Sequence, residues 1–283
     1  MTTRVFAARG SLVGMLTALV LAALVVGRAG AQFGPPPPPD TRTPRERASI
    51  DITGQWVAVV TEDWRWRMVT PPIGDTASLP LNARGQAAAG AWSLERDRAE
   101  GNLCRAFGAP GLIRQPTRVR IAWEDDDTLA LEFDAGRQVR RFEFAAAATA
   151  PSEPLLQGHS AARWFRQPQS RGVFGVRTPP LGGSLVVETT RLSGGYLRAN
   201  GVPYSDRATM KEFFNTFVLP ADGGTWLIVT TVVDDPEYLS TQLIMSSQFK
   251  KETTMAGWSP RPCEIAEPLS APAQGAARLA PNG

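Results

Sequence analysis

Histidine and cysteine are nearly missing from this chain: one of the first and two of the second in 283 residues. His159, Cys104 and Cys263 make no recognisable zinc spacing, so no metal or other cofactor is assigned. A concentrated basic face is also absent. Thirty basic against 27 acidic residues leave a net charge of +3, and Arg4, Arg9 and Arg28 of that balance lie near the start. Nucleic-acid binding needs a basic cluster, and that class is rejected. After the first 27 residues no stretch is apolar enough to span a bilayer, which excludes membrane insertion once the leader is cut. Two catalytic signatures are missing as well. No nucleophile-elbow sequence occurs, and the glycines of 194–201 have neither the spacing nor the Lys-Ser/Thr of a phosphate loop.

What is present begins with an address. Arg4 and Arg9 precede an apolar run over 11–27, and Ala29-Gly30-Ala31 has the small-x-small pattern of a cleavage site. The expectation is a signal peptide over 1–31, cut after Ala31, and a periplasmic or secreted protein. No cysteine follows the apolar run at the cut, so no lipid anchor is expected. In that compartment Cys104 and Cys263 are expected to form a disulfide. Pro35 to Pro39 is an unbroken run that favours a polyproline spacer, giving a tether over 32–50. A domain over 51–263 and a disordered, Ala/Pro/Gly-rich tail over 264–283 complete the division.

The domain reads as β. Segments 118–123, 128–133 and 138–144 are short strands separated by Glu124–Asp127 and by the turn Asp134-Ala135-Gly136. The acidic run lacks the spaced ligands of a calcium loop and is read as a solvated turn. Segments 184–191, 210–218, 226–233 and 241–249 are rich in Val, Thr, Phe, Ile and Leu, and each is bounded by turn residues. Residues 52–60 form a strand that opens on Gly54-Gln55-Trp56, with Trp56 placed to plug one end of a barrel. Trp64, Trp66 and Met68 alternate with Arg65 and Arg67 at period two. Both arginines are read on a solvated strand face; the alternative puts one inside, against a carboxylate. Apolar positions at helical spacing over 82–98, behind a capping Asn82, predict a helix across one barrel end.

Several stretches together resemble a group of exported, largely uncharacterised bacterial proteins. They are Gly158-His159-Ser160 with Trp164, then Gly183-Ser184-Leu185-Val186-Val187-Glu188-Thr189-Thr190, then Gly201-Val202-Pro203-Tyr204-Ser205. Glu212-Phe213, Asp235-Pro236-Glu237-Tyr238-Leu239 and Cys263 follow in the same order. The resemblance covers about Thr53 to Cys263 and implies a lipocalin-like barrel, with no settled activity. One departure is that Trp164 is followed by Phe165-Arg166 and a long insert, where such proteins often have Glu-Gly-Asp.

The fold class is therefore mainly β: a single antiparallel, lipocalin-like barrel of eight to nine strands with a short capping helix. Such a barrel holds one small molecule or is filled by its own side chains. The expected function is binding of a small, partly apolar ligand in the interior, with Trp164, Tyr196, Arg198 and Tyr204 as ligand-contacting residues. The alternative is a cofactor-free lyase, isomerase or hydrolase. For it the acid–base candidates are His159, the one side chain that titrates near neutrality, and the carboxylates Glu188, Glu212 and Asp235, if sequestered among apolar neighbours. Ser205, His159 and Asp235 can be sketched as a triad. His159 has the second reading of a turn residue bonded to backbone, and Asp235 that of a hairpin turn.

Overall fold

The computed structural model describes residues 40–144, 150–166, 182–221 and 223–271. The signal-peptide and Pro35–Pro39 expectations lie outside these residues. Nine strands close into a barrel: β1 (Gly54–Val59), β2 (Arg118–Trp123), β3 (Thr128–Phe133), β4 (Val139–Glu143), β5 (His159–Arg166), β6 (Gly183–Thr190), β9 (Thr209–Val218), β10 (Thr225–Asp234) and β11 (Leu243–Glu252). Strands β7 (Gly195–Arg198) and β8 (Val202–Tyr204) form a separate ribbon. Around the barrel the order is β1-β11-β10-β9-β6-β5-β4-β3-β2, and β2 returns to β1 through Gly54↔Ile121 and Val57↔Arg118.

An odd number of strands cannot alternate direction all the way round a closed ring. One pair must run parallel, and it is β4 with β5, joined only at Phe142↔Ser160 and Glu143↔Ala161. Every other neighbouring pair is antiparallel, among them the ten-residue register of β9 with β10. The expected antiparallel barrel is thus present with one parallel seam. The sequence concealed it because β5 has Arg163 on its outer face and an exposed Arg166 at its end, and reads as a histidine turn.

Inside, alternation sorts each strand. Trp56, Val119, Ile121, Leu129, Leu131, Phe133, Phe142, Leu185, Val187, Phe214, Leu227, Val229 and Phe249 are buried and form one apolar cluster with parts of the cap. Trp56 is fully buried, its indole donates to the Ile52 carbonyl at 2.9 Å, and the Lys251 ammonium lies 5.2 Å from its ring. A second apolar cluster, with Leu81, Leu197, Val202, Met210, Val233 and Leu243, occupies the other end.

That end is capped by the long β1–β2 connection, which contains α1 (Trp64–Arg67), α2 (Ala83–Gly90), α3 (Leu94–Ala99) and α4 (Ala109–Leu112). The expected helix over 82–98 is two helices. Asn82 caps the first by accepting from the Gly85 amide at 3.0 Å, and Ser93 starts the second by accepting from Arg96. Trp92 lies between them, packed so closely on Gly201 that a Cβ there would fall 1.9 Å from the indole. Gly201 also has φ +77°, a left-handed backbone that glycine adopts without strain.

The 64–68 alternation is corrected: it is one helical turn, not a strand. Asp63, at φ 53°, bends the chain into α1, whose four side chains then fan in four directions. Trp64 and Arg65 are exposed and Trp66 is half-buried, whereas Arg67 is only 9% exposed, against the solvated reading of both arginines.

After β11 the chain leaves the barrel and crosses its outside to the cap. The Trp258 ring lies under Arg120, the Arg261 amide donates to the Asp134 carbonyl, and Cys263 bonds to Cys104. Residues 264–271 continue against the cap, with Ile265 buried and the Leu269 amide bonded to Thr70.

The bridge ties residues 159 apart in sequence. Replacing both Cys104 and Cys263 by Ala should lower unfolding stability by about 3–5 kcal/mol. Urea titration of wild type and the double variant measures the loss.

Candidate functional site

Six consecutive strands each place a polar residue inside the barrel: Arg140 on β4, Ser160 on β5, Thr189 on β6, Glu212 on β9, Thr231 on β10 and Ser247 on β11. All are buried. The pair at the centre is Arg140 with Glu212, both side chains 0% exposed. Arg140 Nη1 donates to Glu212 Oε1 at 3.0 Å and Nη2 to Oε2 at 2.6 Å, the two-pronged geometry that suits a guanidinium and a carboxylate. Nη2 also reaches Thr189 Oγ1 at 3.3 Å, and Thr189 is bonded to Ser160 Oγ at 2.8 Å. Thr231 stands opposite Glu212 in the β9–β10 register. Arg140 Nε, Thr231 Oγ1, Ser247 Oγ and the Tyr204 hydroxyl have no hydrogen-bond partner among the described residues.

Glu212 is therefore interior, the condition its acid–base reading required, but its two oxygens are committed to Arg140, which was not among the candidates. The signal that could have found it is alternation: between the exposed Val139 and Arg141, Arg140 shares its strand face with Phe142 and Phe144. Tyr204 is buried at the capped end. It fits because residue 108 is glycine: a Cβ there would lie 2.0 Å from the phenol oxygen. Burial pushes the Tyr204 phenol well above the ordinary tyrosine value, against the charges of Arg105 and Arg140.

The remaining candidates do not converge on this belt. Glu188 is on the outer face, its side chain 55% exposed, and bonded to Lys211 at 2.8 Å. That hydrogen bond, with the lysine's charge, lowers its pKa. His159 is the first residue of β5, with Nδ1 3.8 Å from Glu143. It is a strand residue facing away from the lumen, because its neighbour Ser160 faces in. Asp235 organises the loops of the capped end: it accepts from the Ser205 amide and hydroxyl at 2.7 Å each, and from the Glu237 amide at 2.9 Å. Ser205 and Asp235 of the sketched triad do meet, without the histidine.

Tyr196 belongs to the cap core. Its hydroxyl donates to Asp97 Oδ1 at 3.0 Å, the Trp92 indole donates to Asp97 Oδ2 at 2.7 Å, and Arg105 lies 4.8 Å from its ring. Burial, with the Asp97 carboxylate on its hydroxyl and Arg105 opposing, pushes the Tyr196 phenol up to about 12. Arg198 rides over the Trp66 ring at 4.6 Å, beneath α1.

Trp164 stands at the other end of the barrel, in a group of three rings. Phe144 stacks on it at 5.3 Å, and Trp123 lies 5.4 Å from Phe144 and 6.4 Å from Trp164. The chain before β1 crosses this end: the Trp164 indole donates to the Pro44 carbonyl at 2.7 Å, and Arg166 to that of Arg47. Between this segment and the barrel lies a cleft of about 530 Å³, lined on its apolar side by Ile50, Trp123 and Trp164 and on its polar side by Arg45, Asp51 and Thr53. Partial burial pushes the Asp51 carboxyl upward, but hydrogen bonds from Thr53 and the charge of Lys251 outweigh it and hold the group below its ordinary value.

No group of three or more His, Cys, Asp or Glu side chains suited to a metal occurs among the described residues. No described helix is long and apolar enough to cross a membrane. The chain matches no family model, no curated protein and no solved structure.

Two outcomes follow. Glu212→Ala leaves the Arg140 charge buried without its partner and should cost about 3–5 kcal/mol, while Arg140→Met combined with Glu212→Leu should restore most of it. A denaturation cycle over the four proteins reads the difference. For Tyr196, whose folded pKa is raised from 10 to about 12, the stabilisation by the neutral phenol is complete below pH 10 and is lost as pH rises to 12. Absorbance at 295 nm in wild type and Tyr196→Phe should place the missing phenolate step near pH 12.

Proposed function

We propose that this chain is an exported, lipocalin-like binding module that takes a small, partly apolar molecule at the tryptophan end of its barrel. The observation that carries this reading is the 530 Å³ cleft, which meets Trp123 and Trp164 on one side and Arg45, Asp51 and Thr53 on the other. Ligand pockets commonly enclose about 300–1,000 Å³, with an apolar lining and a few placed polar groups. Farther in, the lumen is occupied by Trp56, Phe142, Phe214 and Phe249, all buried, so the ligand rests on the aromatic end and does not thread the barrel. The opposite end lies under the cap.

The segment before β1 acts as the outer wall of the site. It is held there by the Trp164–Pro44 hydrogen bond, which any ligand must keep or replace. Export is supported by the small-x-small pattern at Ala29-Gly30-Ala31 and by the Cys104–Cys263 disulfide, since such bonds persist in oxidising compartments. The acid–base alternative has no comparable support, because His159 and Glu212 face opposite sides of the barrel wall.

The test is titration with 1-anilinonaphthalene-8-sulfonate, followed by dye fluorescence, with native mass spectrometry of protein taken from the periplasm. Wild type should bind one dye, and Trp164→Ala should weaken binding tenfold or more while Trp164→Phe keeps most of it. Unchanged affinity in a folded Trp164→Ala variant rejects the site.

A further inference from the structure

Beneath α1, at the capped end, three arginines from distant parts of the chain line one small cavity. Arg67 comes from α1, Arg114 from the turn after α4, and Arg198 from the end of β7. The cavity is about 80 Å³, and Trp66, Leu79, Leu197 and Met245 make up its apolar wall.

The three are not equivalent. Arg114 is fully engaged: it donates to Glu62 at 3.3 Å, to Asp63 at 2.6 Å and to the Ser246 carbonyl. Arg67 donates only through Nε, to the Arg114 carbonyl at 2.8 Å, and its Nη1 and Nη2 have no partner among the described residues. Arg198 Nη1 is buried without a partner too, while its guanidinium rests on the Trp66 ring. Three guanidinium nitrogens with hydrogens to donate are thus shut away from water beside one cavity.

A buried cation without a hydrogen-bonding counter-charge is among the costlier features of a fold. Burial accordingly pushes the pKa of Arg67 down to about 10, with the like charge of Arg114 adding to it, and that of Arg198 to about 10 as well. The acids nearby only partly offset this. Glu62 and Asp63 are bonded to Arg114, and Asp75 takes the Trp66 indole at 3.0 Å with Arg65 4.0 Å away.

We infer that this cavity is a binding site for one small oxyanion group, a carboxylate or a phosphate, held by Arg67 and Arg198, with the Arg114 carbonyl fixing Arg67 through its Nε. Guanidinium forks match both anions in shape. The volume admits a single such group and excludes a nucleotide or a sugar phosphate beyond its anionic end. The site lies at the opposite end of the barrel from the tryptophan cleft and does not depend on that reading.

The test is thermal unfolding of the intact protein with inorganic phosphate or acetate, each against sodium chloride at equal ionic strength. Either anion should raise the midpoint saturably, by about 5–10 °C at a hundred times its dissociation constant; which one acts names the class. Arg67→Met should abolish the response while starting at an equal or higher midpoint, because an unpaired buried charge has been removed. Arg67→Lys, which keeps charge but loses the fork, should weaken the response tenfold or more. No response beyond that to chloride, or a full response in both Arg67→Met and Arg198→Met, overturns the inference.

Discussion

Closing nine strands into one ring imposes a parallel seam, and the ion pair of Arg140 with Glu212 spans it. β4 and β5 share two residue pairs, the thinnest junction of the barrel. Arg140 reaches from β4 past β5 to Thr189 on β6 and Glu212 on β9, so one side chain joins the wall on both sides of the seam. A buried pair of this kind adds little over an apolar replacement, but losing one partner is expensive. Its geometry also selects a register. Sliding β9 by one residue would turn Glu212 outward and leave Arg140 alone in the core.

The belt covers six of the nine strands. The aromatic core runs from Trp123, Phe144 and Trp164 to Phe107 and Leu112 of the cap, and a second cluster beneath the cap holds Tyr204, Leu197 and Met210. The two ends then differ in chemistry. One presents indole rings beside Asp51 and Arg45, the other presents buried guanidiniums beneath α1. The tail carries the disulfide from the barrel's outer face to the cap, so cap, tail and barrel are covalently one unit.

Much of this was legible locally. Alternation over 118–123 and 128–133 located β2 and β3 to the residue, and the turn at Asp134-Ala135-Gly136 located their neighbour. Asn82 announced a helix start because a cap is a contact within four residues. The failures share a cause. Trp64 to Arg67 alternates like a strand, yet a four-residue stretch cannot separate period two from a single helical turn, and Asp63 decided the matter through its backbone. β5 was hidden because its outer face is solvated and its pairing with β4 is parallel and only two residues long.

The candidate residues divide along the same line. That Cys104 and Cys263 pair was expected from an even cysteine count in a chain read as exported. Which way Glu188 and Glu212 faced was not, because alternation fixes two opposite faces without saying which is the interior. Arg67 was invisible for a related reason: its guanidinium becomes an interior group only when Arg114 and β7, far along the chain, close over it. Residue order alone determined most of the strands, the turns and the barrel class, since these depend on short-range periodicity and backbone preference. The seam, the buried ion pair and both clefts were decided by closure of the ring, which brings distant side chains together and takes their water away.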